Sequence, residues 1–515
     1  MKRILTKIFS RNFIFIAMLL LQIAFIAFTI WKLREHYFII HVSIMVLNIV
    51  LIVYIINKNE NPAYKLAWII AIDILPLFAG LAYLFIQTQL GKKLFIKLQD
   101  RSIEYSKNFL MQNQDTLSHL EIESKKISNL STYINQFGPY PVYTKTTVQY
   151  FPVGELQFEA LINELKKAEH FIFMEFFIIA QGYMFDTIAD ILIDKSKSGV
   201  EIRFMYDGIG AQINSPVPNK YFKKLTENGI KCKVFNQFTP FLSTIQNNRD
   251  HRKIVVIDGN TAFTGGINIA DEYINRKERF GHWKDTGIML KGEAVWNYTV
   301  MFLQLWELNE PQMSNYEEFI PKYQATGFFE SDGFVQPYSD SPMDEEHIGE
   351  MVYLDIINNA EEYVYITTPY LILDNELLTA LQLASKKGID VRIITPHIAD
   401  KWYVYQIAWR YYPRLIEAGV KIYEYTPGFI HAKSFVSDDS TAVIGTINLD
   451  YRSLYLHYEC ACLIYNNSAV FDIKNDFLET IKLSQEITLE ECRKLPLRRK
   501  LAGWLLNIFA PLLLY

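Results

Sequence analysis

RDHRKIVVIDGNTAFTGGINIADEY, residues 249–273, and FIHAKSFVSDDSTAVIGTINLDYRS, residues 429–453, carry one skeleton twice. Each contains H-x-K-x4-D, supplied by His251, Lys253 and Asp258 in the first copy and by His431, Lys433 and Asp438 in the second. Each runs on to a G-x-x-N tail, in which Gly265, Gly266 and Asn268 answer to Gly445, Thr446 and Asn448. Every corresponding pair is 180 positions apart. A repeat of that period means two copies of one domain.

The spacing has a physical reading. In HRKIVVID an extended strand places alternate side chains on one face, so His251 and Lys253 project together while Ile254 to Ile257 lie in a sheet interior. Packed about a pseudo-two-fold axis, the copies bring two imidazoles, two ammonium groups and two carboxamides to one cleft. Such a cleft suits a tetrahedral phosphoryl group, with Lys253 and Lys433 balancing its charge and Asn268 and Asn448 hydrogen bonding to it. One histidine can attack phosphorus while the other protonates the departing alkoxide. Asp258 and Asp438 complete the motifs, a strand's length from the imidazoles, which favours a structural or electrostatic part. The chemistry calls for no metal and no cofactor.

Around each motif, short β-rich runs alternate with helical ones. HFIFMEFFII, TIADILIDKSKSG, VEIRFMYDGIG, PNKYFKKLTENGI and KCKVFN lead up to the first, and EYVYITTPYLI, LLTALQLASKKG, IDVRIITPH, YYPRLIEAG and VKIYEYTPG to the second. Strand, helix, strand, helix, strand is the signature of an α/β body with parallel pairing.

The 515 residues are 50% hydrophobic, 15% aromatic and 21% charged, too apolar for a disordered chain. The net charge of -5 conceals an asymmetry. Residues 1–101 hold twelve Lys and Arg against four Asp and Glu, which leaves the rest at -13 and argues against a nucleic-acid partner. Within the basic end lie three long apolar runs, expected to span a bilayer at about 13–31, 37–56 and 66–86. Lys2, Arg3, Lys7 and Arg11 precede the first, which is too long for a cleaved signal. The third contains Asp73, Pro76 and Gly80, residues that allow it to span, kink or re-enter. The four cysteines form no C-x-x-C pair or zinc spacing and read as reduced thiols. HIADKWYVYQIAWRYYPR at 397–414 suits either a lipid-facing element at the cleft mouth or a packed aromatic helix. In the tail, Arg493, Lys494, Arg498, Arg499 and Lys500 precede about fifteen apolar residues too short to span comfortably. That tail reads as an interfacial anchor for anionic lipid or as a segment docked on the body.

The two motifs resemble those of the phospholipase D superfamily, and within it the chain is similar to the bacterial cardiolipin synthases. The likeness extends to NPAYKLAWIIAIDILPLFAGLAYLF, MEFFI at 174–178, YDGIG at 206–210, WKDTG at 283–287, TTPYLI at 367–372 and EAGVKIYEYTPGFIHAK at 417–433. It implies two phospholipase-D-like α/β domains, mixed sheets flanked by helices, joined as a pseudo-dimer behind N-terminal transmembrane helices. The expected division is a membrane anchor at 1–90, connector at 91–136, first domain at 137–310, connector at 311–345, second domain at 346–492 and interfacial tail at 493–515.

The resemblance further implies transfer of a phosphatidyl group from one phosphatidylglycerol to another, giving cardiolipin and glycerol. A hydrolytic phospholipase D releasing phosphatidic acid is the alternative. His251 is expected to form the covalent phosphatidyl-enzyme, and His431 to act as acid and then as base. In the superfamily a further acid orients each imidazole, and the matching positions are Asp285 in WKDTG and Glu459 in LHYEC, which break the 180-residue register. The implied partners are phosphatidylglycerol and anionic membrane lipid, and the implied location is a multi-pass position in the bacterial cell membrane.

Overall fold

The uncharged sequence from Tyr37 to Asn57 forms one uninterrupted helix, since nothing in YFIIHVSIMVLNIVLIVYIIN breaks the hydrogen-bond ladder. This computed structural model describes residues 11–32, 36–87, 90–211, 219–237, 248–321 and 332–512. Lys2, Arg3 and Lys7, residues 322–331 of the expected second connector and the last three residues of the tail lie outside them. The chain separates into two compact units, one of residues 1–93, 238–247 and 505–514, the other of residues 94–237 and 248–504.

In the first unit, Phe38–Asn57 is, among the described residues, the one helix long and apolar enough to cross a membrane. Ile39, Val46, Val50 and Val53 lie exposed on its surface. The run expected to span at 66–86 is two helices, Pro62–Ile74 and Phe78–Gln87, rather than one. Pro76 has no N–H to give and forces Leu75 out of the helical region, to φ -124 and ψ 68. The two pieces pack back on the preceding helix through Leu51, Ile55, Ile72, Leu75, Ala79 and Tyr83. Asp73 is exposed.

The second unit holds two mixed sheets of the same plan. The described strands of the first run, in spatial order, Thr146–Phe151, Gly287–Gly292, Thr261–Gly265, Ile254–Ile257, Phe171–Phe176, Glu201–Asp207 and Lys231–Phe235. The second repeats it as Phe334–Asp340, His457–Tyr465, Thr441–Gly445, Ser434–Ser437, Tyr363–Thr367, Asp390–Pro396 and Lys421–Tyr425, with Ser484–Ile487 added at the far edge. In each the last three strands shared by both pair in parallel, as the strand-helix alternation requires, and the motif-bearing hairpin joins them antiparallel.

The helix Val295–Trp306, VWNYTVMFLQLW, is apolar nearly all round and every residue except Trp296 is buried. Asn297 within it donates to the carbonyls of Pro141 and Pro337, tying the segment that leads into the first sheet to the edge strand of the second. Two stretches expected as connectors are built into the body. Gln99, Ser102 and Ser106 are buried, with Gln99 hydrogen bonding to Ser341 (2.7 Å) and Tyr458 (2.6 Å). Phe334–Asp340, within the expected second connector, is an edge strand, where the N–H that Pro337 lacks is tolerated.

Candidate active site

Two very short strands decide the site. Arg249–Asp250, immediately before His251, pairs in parallel with His457 and Tyr458 of the other half. Gly428–Ile430, immediately before His431, pairs with His282–Lys284 of the first half. The lattice continues through the histidines: His251 N–H donates to the Tyr458 carbonyl (2.9 Å) and His431 N–H to that of Lys284 (2.7 Å). Each histidine is therefore stitched beside the strand that carries the other half's acid.

The side chains follow. His251 Nδ1 lies 2.9 Å from both oxygens of Glu459, and His431 Nδ1 lies 2.6 Å from Asp285 Oδ2. With Nδ1–H donated to a carboxylate, each ring keeps the Nε2 lone pair as its free basic site. The orienting acids expected at Asp285 and Glu459 are thus exchanged between the halves. Glu459 also accepts from the Thr446 hydroxyl, and Asp285 Oδ1 from the Thr286 N–H at 2.9 Å. Gly266, at the position of Thr446, has no room for a side chain, since a Cβ there would stand 2.0 Å from Asp285 Oδ1.

Lys253 and Lys433 are fully enclosed, each donating to the carbonyl of its own motif histidine, and Lys433 Nζ lies 2.9 Å from His431 Nδ1. Burial brings Lys253 down to about 8 and Lys433 to about 7. Burial, reinforced by the two lysines, holds His251 well below the usual imidazole range. It holds His431 at about 4, with Lys433 adding to the effect and Asp285 opposing it. The cleft is a concentrated, desolvated positive site with neutral imidazoles.

Asn268 and Asn448 are buried beside it. Asn268 donates to Tyr273 Oη (2.8 Å) and accepts from Ile178 N–H (2.9 Å), and Asn448 donates to Ser453 Oγ (2.9 Å). Asp258 and Asp438 turn away. Asp258 accepts from the N–H groups of Glu169, His170 and Phe171 at 2.7–2.8 Å, and Asp438 from those of Glu361, Glu362 and Tyr363 at 2.8–2.9 Å. Both sit at positive φ, 51° and 53°, where a short acid can fold back onto the start of the neighbouring strand. These hydrogen bonds tie down backbone and reach neither imidazole.

Several residues here escaped the sequence reading. Glu175 of MEFFI and Asp207 of YDGIG are the buried partners of Arg252 (2.6 Å) and Arg249 (2.8 Å), the arginines flanking His251. His457 stands 5.4 Å, centroid to centroid, from His251. Its Nε2 accepts from Arg452 Nε (3.1 Å), leaving Nδ1–H aimed at Glu459, 3.7 Å away. His251, His457 and Glu459 lie close enough to share a metal ion, yet Lys253, Lys433 and Arg452 crowd the same space with positive charge, and Arg452 occupies one imidazole nitrogen. The donor set does not fit a cation. Glu350, Asp374 and Glu376 form the other cluster of that kind among the described residues. Burial, then the neighbouring Asp374, raises Glu350 to about 9.

The sequence profile described as "Cardiolipin synthase, PLD-like domain" matches residues 161–306 and 353–481, more than half of the chain. A relative named Cardiolipin synthase 2 from Bacillus cereus is 34% identical over 466 residues, 88% of each chain. The chain belongs to the phospholipase-D-like cardiolipin synthase family. A Geobacillus protein named cardiolipin synthase is 32% identical over 90% of this chain and 92% of its own length. An uncharacterized protein of Streptococcus mutans reaches 47% over 90% and 99%. The fold is also that of phosphatidylserine synthase from Haemophilus influenzae, at TM-score 0.55 and 14% identity, covering 74% of this chain and 97% of that one. A second profile, "Phospholipase_D-nuclease N-terminal", covers residues 46–87, which include most of the candidate span. The protein is a membrane-associated phospholipid phosphatidyltransferase of this family.

Proposed function

We propose that this family member joins two phosphatidylglycerols into cardiolipin and glycerol through a covalent phosphohistidine. The observation that carries the proposal is the exchanged pairing, His251 with Glu459 and His431 with Asp285, around two buried lysines. His251 Nε2 attacks phosphorus, the P–O bond to the head-group glycerol breaks, and His431 gives that oxygen its proton. In the second step His431 takes a proton from a head-group hydroxyl of another phosphatidylglycerol. That oxygen attacks phosphorus, the N–P bond breaks, and cardiolipin leaves.

Protonation fits this order. In the empty cleft burial and the lysines keep His431 at about 4. An arriving phosphodiester brings a negative charge between Lys253 and Lys433 and raises both ammonium and imidazole values toward the charged forms. Asp285 then holds the imidazolium. Asn268 and Asn448 each have an amide hydrogen to spare for a phosphoryl oxygen. In this reading the halves at 137–310 and 346–492, the second completed by the strand Phe334–Asp340, form the catalytic body, and the apolar runs between 13 and 86 make a multi-pass anchor.

The test is reconstitution of the full chain in phosphatidylglycerol vesicles without divalent metal, with products followed by mass spectrometry. Cardiolipin with free glycerol is the expected result. Phosphatidic acid with glycerol would make the enzyme a hydrolase and overturn the transferase reading.

A further inference from the structure

The tail read as either lipid anchor or docked segment has features of both. Its helix, Leu497–Phe509, lies against the aromatic helix Trp402–Glu417, whose Val404, Ile407, Ala408, Tyr411, Tyr412 and Leu415 face the core. Gly503 permits the approach, since a Cβ there would come 2.9 Å from the Gln406 carbonyl, and Arg499 Nε donates to Gln406 Oε1 at 2.9 Å. Between these helices and the turn before them is a cavity of about 210 Å³ lined by Trp409, Arg410, Arg493, Arg499, Lys500 and Trp504.

The four cations have no carboxylate within ion-pair distance among the described residues. Glu417 is the cavity's one acidic lining residue. Two guanidinium groups are instead propped on rings, Arg410 at 5.8 Å from the Trp504 centroid and Arg499 at 5.5 Å from that of Trp409. Ring stacking fixes a guanidinium while leaving its in-plane N–H donors free. Arg498, Arg499 and Lys500 also crowd the first turn of a helix, where the backbone dipole is already positive. Uncompensated positive charge of that density is relieved by an anion. Beside it Leu497 and Leu501 are exposed on the same helix, and Trp504 is half exposed.

We infer that this cavity is an accessory site for the phosphate of an anionic phospholipid, separate from the catalytic cleft. The cations take the phosphodiester, and the exposed leucines and Trp504 lie along the acyl chains, which a free phosphate does not have.

The test is native mass spectrometry of the full-length protein in neutral detergent, titrated with dioleoyl phosphatidylglycerol or dioleoyl phosphatidylcholine. The variants are R410Q, R410Q/R499Q and the charge-retaining R410K/R499K. R410Q alone removes an exposed side chain and leaves the packed helices intact. The expected result is that the double glutamine variant loses one bound phosphatidylglycerol, its affinity at that site falling roughly tenfold or more. Phosphatidylcholine counts should not change, R410K/R499K should recover part of the loss, and excess inorganic phosphate should not displace the lipid. Equal phosphatidylglycerol binding in wild type and variants, equal loss of phosphatidylcholine, or displacement by inorganic phosphate would each overturn the inference. Because the readout is binding, it stands or falls independently of the reaction proposed above.

Discussion

The two halves of the cleft share a motif but not an environment. His251 lies against Phe177 and His457, and its carboxylate partner Glu459 takes a further hydrogen bond from Thr446. His431 lies among Tyr273, Trp283 and Phe429, and its shorter partner Asp285 is pressed against a glycine. The backbone lattice that positions the rings is the same on both sides, so the differences reside in side chains. A symmetric scaffold can therefore give two chemically equivalent imidazoles unequal tasks.

The sharpest way to break that comparison is to remove each ring. His251→Asn and His431→Asn should each lower turnover by roughly 10⁵-fold or more, as loss of one member of a catalytic unit does. The two should differ with an activated leaving group that needs no protonation. His431→Asn should still accumulate a covalent phosphoenzyme, detected by intact-protein mass, and His251→Asn should show none. Equal labelling of both would erase the assigned division of labour.

Next come the acids. Glu459→Gln and Asp285→Asn should cost roughly 10³ to 10⁴-fold by leaving each ring in the wrong tautomer. Because the pairing is exchanged, Glu459→Gln should suppress formation of the phosphoenzyme although Glu459 belongs to the second half, as single-turnover quenching would report. The glycine–threonine difference gives an intermediate effect. Gly266→Thr must push Asp285 aside and should cost roughly 10²-fold, the penalty of misplacing a catalytic group by about 1 Å. Thr446→Gly removes one hydrogen bond to Glu459 and should cost about tenfold. Steady-state kinetics on the pair separates steric from electrostatic asymmetry.

The smallest effect concerns pH. Lys433 at about 7 and Lys253 at about 8 must be protonated to bind a phosphodiester. As pH rises through those values the free enzyme loses charge, so kcat/KM should fall on an alkaline limb between about 7 and 8. His431, already neutral above about 4, sets no limb in that range for the free enzyme. Bound substrate raises the lysines, so the limb in kcat should lie higher. Lys433→Arg should move the alkaline limb of kcat/KM upward.

The repeat and the α/β plan were legible because a 180-residue offset in two rigid motifs survives any divergence around them. The acids were harder to place, since Asn268 and Asp285 are 17 positions apart whereas Asn448 and Glu459 are 11 apart. The first half follows the turn Asp271–Ile274 with a loop before its strand at His282, where the second passes from the equivalent short helix Tyr451–Tyr455 almost directly into the strand at His457. Their exchange between halves was invisible, because it depends on strands of two and three residues that leave no hydrophobic period. Glu175 and Asp207 stood in conspicuous words, yet nothing local shows that a buried carboxylate answers an arginine some 40 to 80 positions later. Pro76 did announce the break in the third apolar run.

The crossed strands Arg249–Asp250 and Gly428–Ile430 have an ancestral corollary. A solitary half would hold a histidine beside an empty acid position, and would become competent only by pairing with a second copy of itself. Fusing two such copies into one polypeptide removes the dependence on encounter. It also frees each acid, each flanking ring and each glycine or threonine to drift apart from its twin, which a homodimer, bound to change both sites at once, never could.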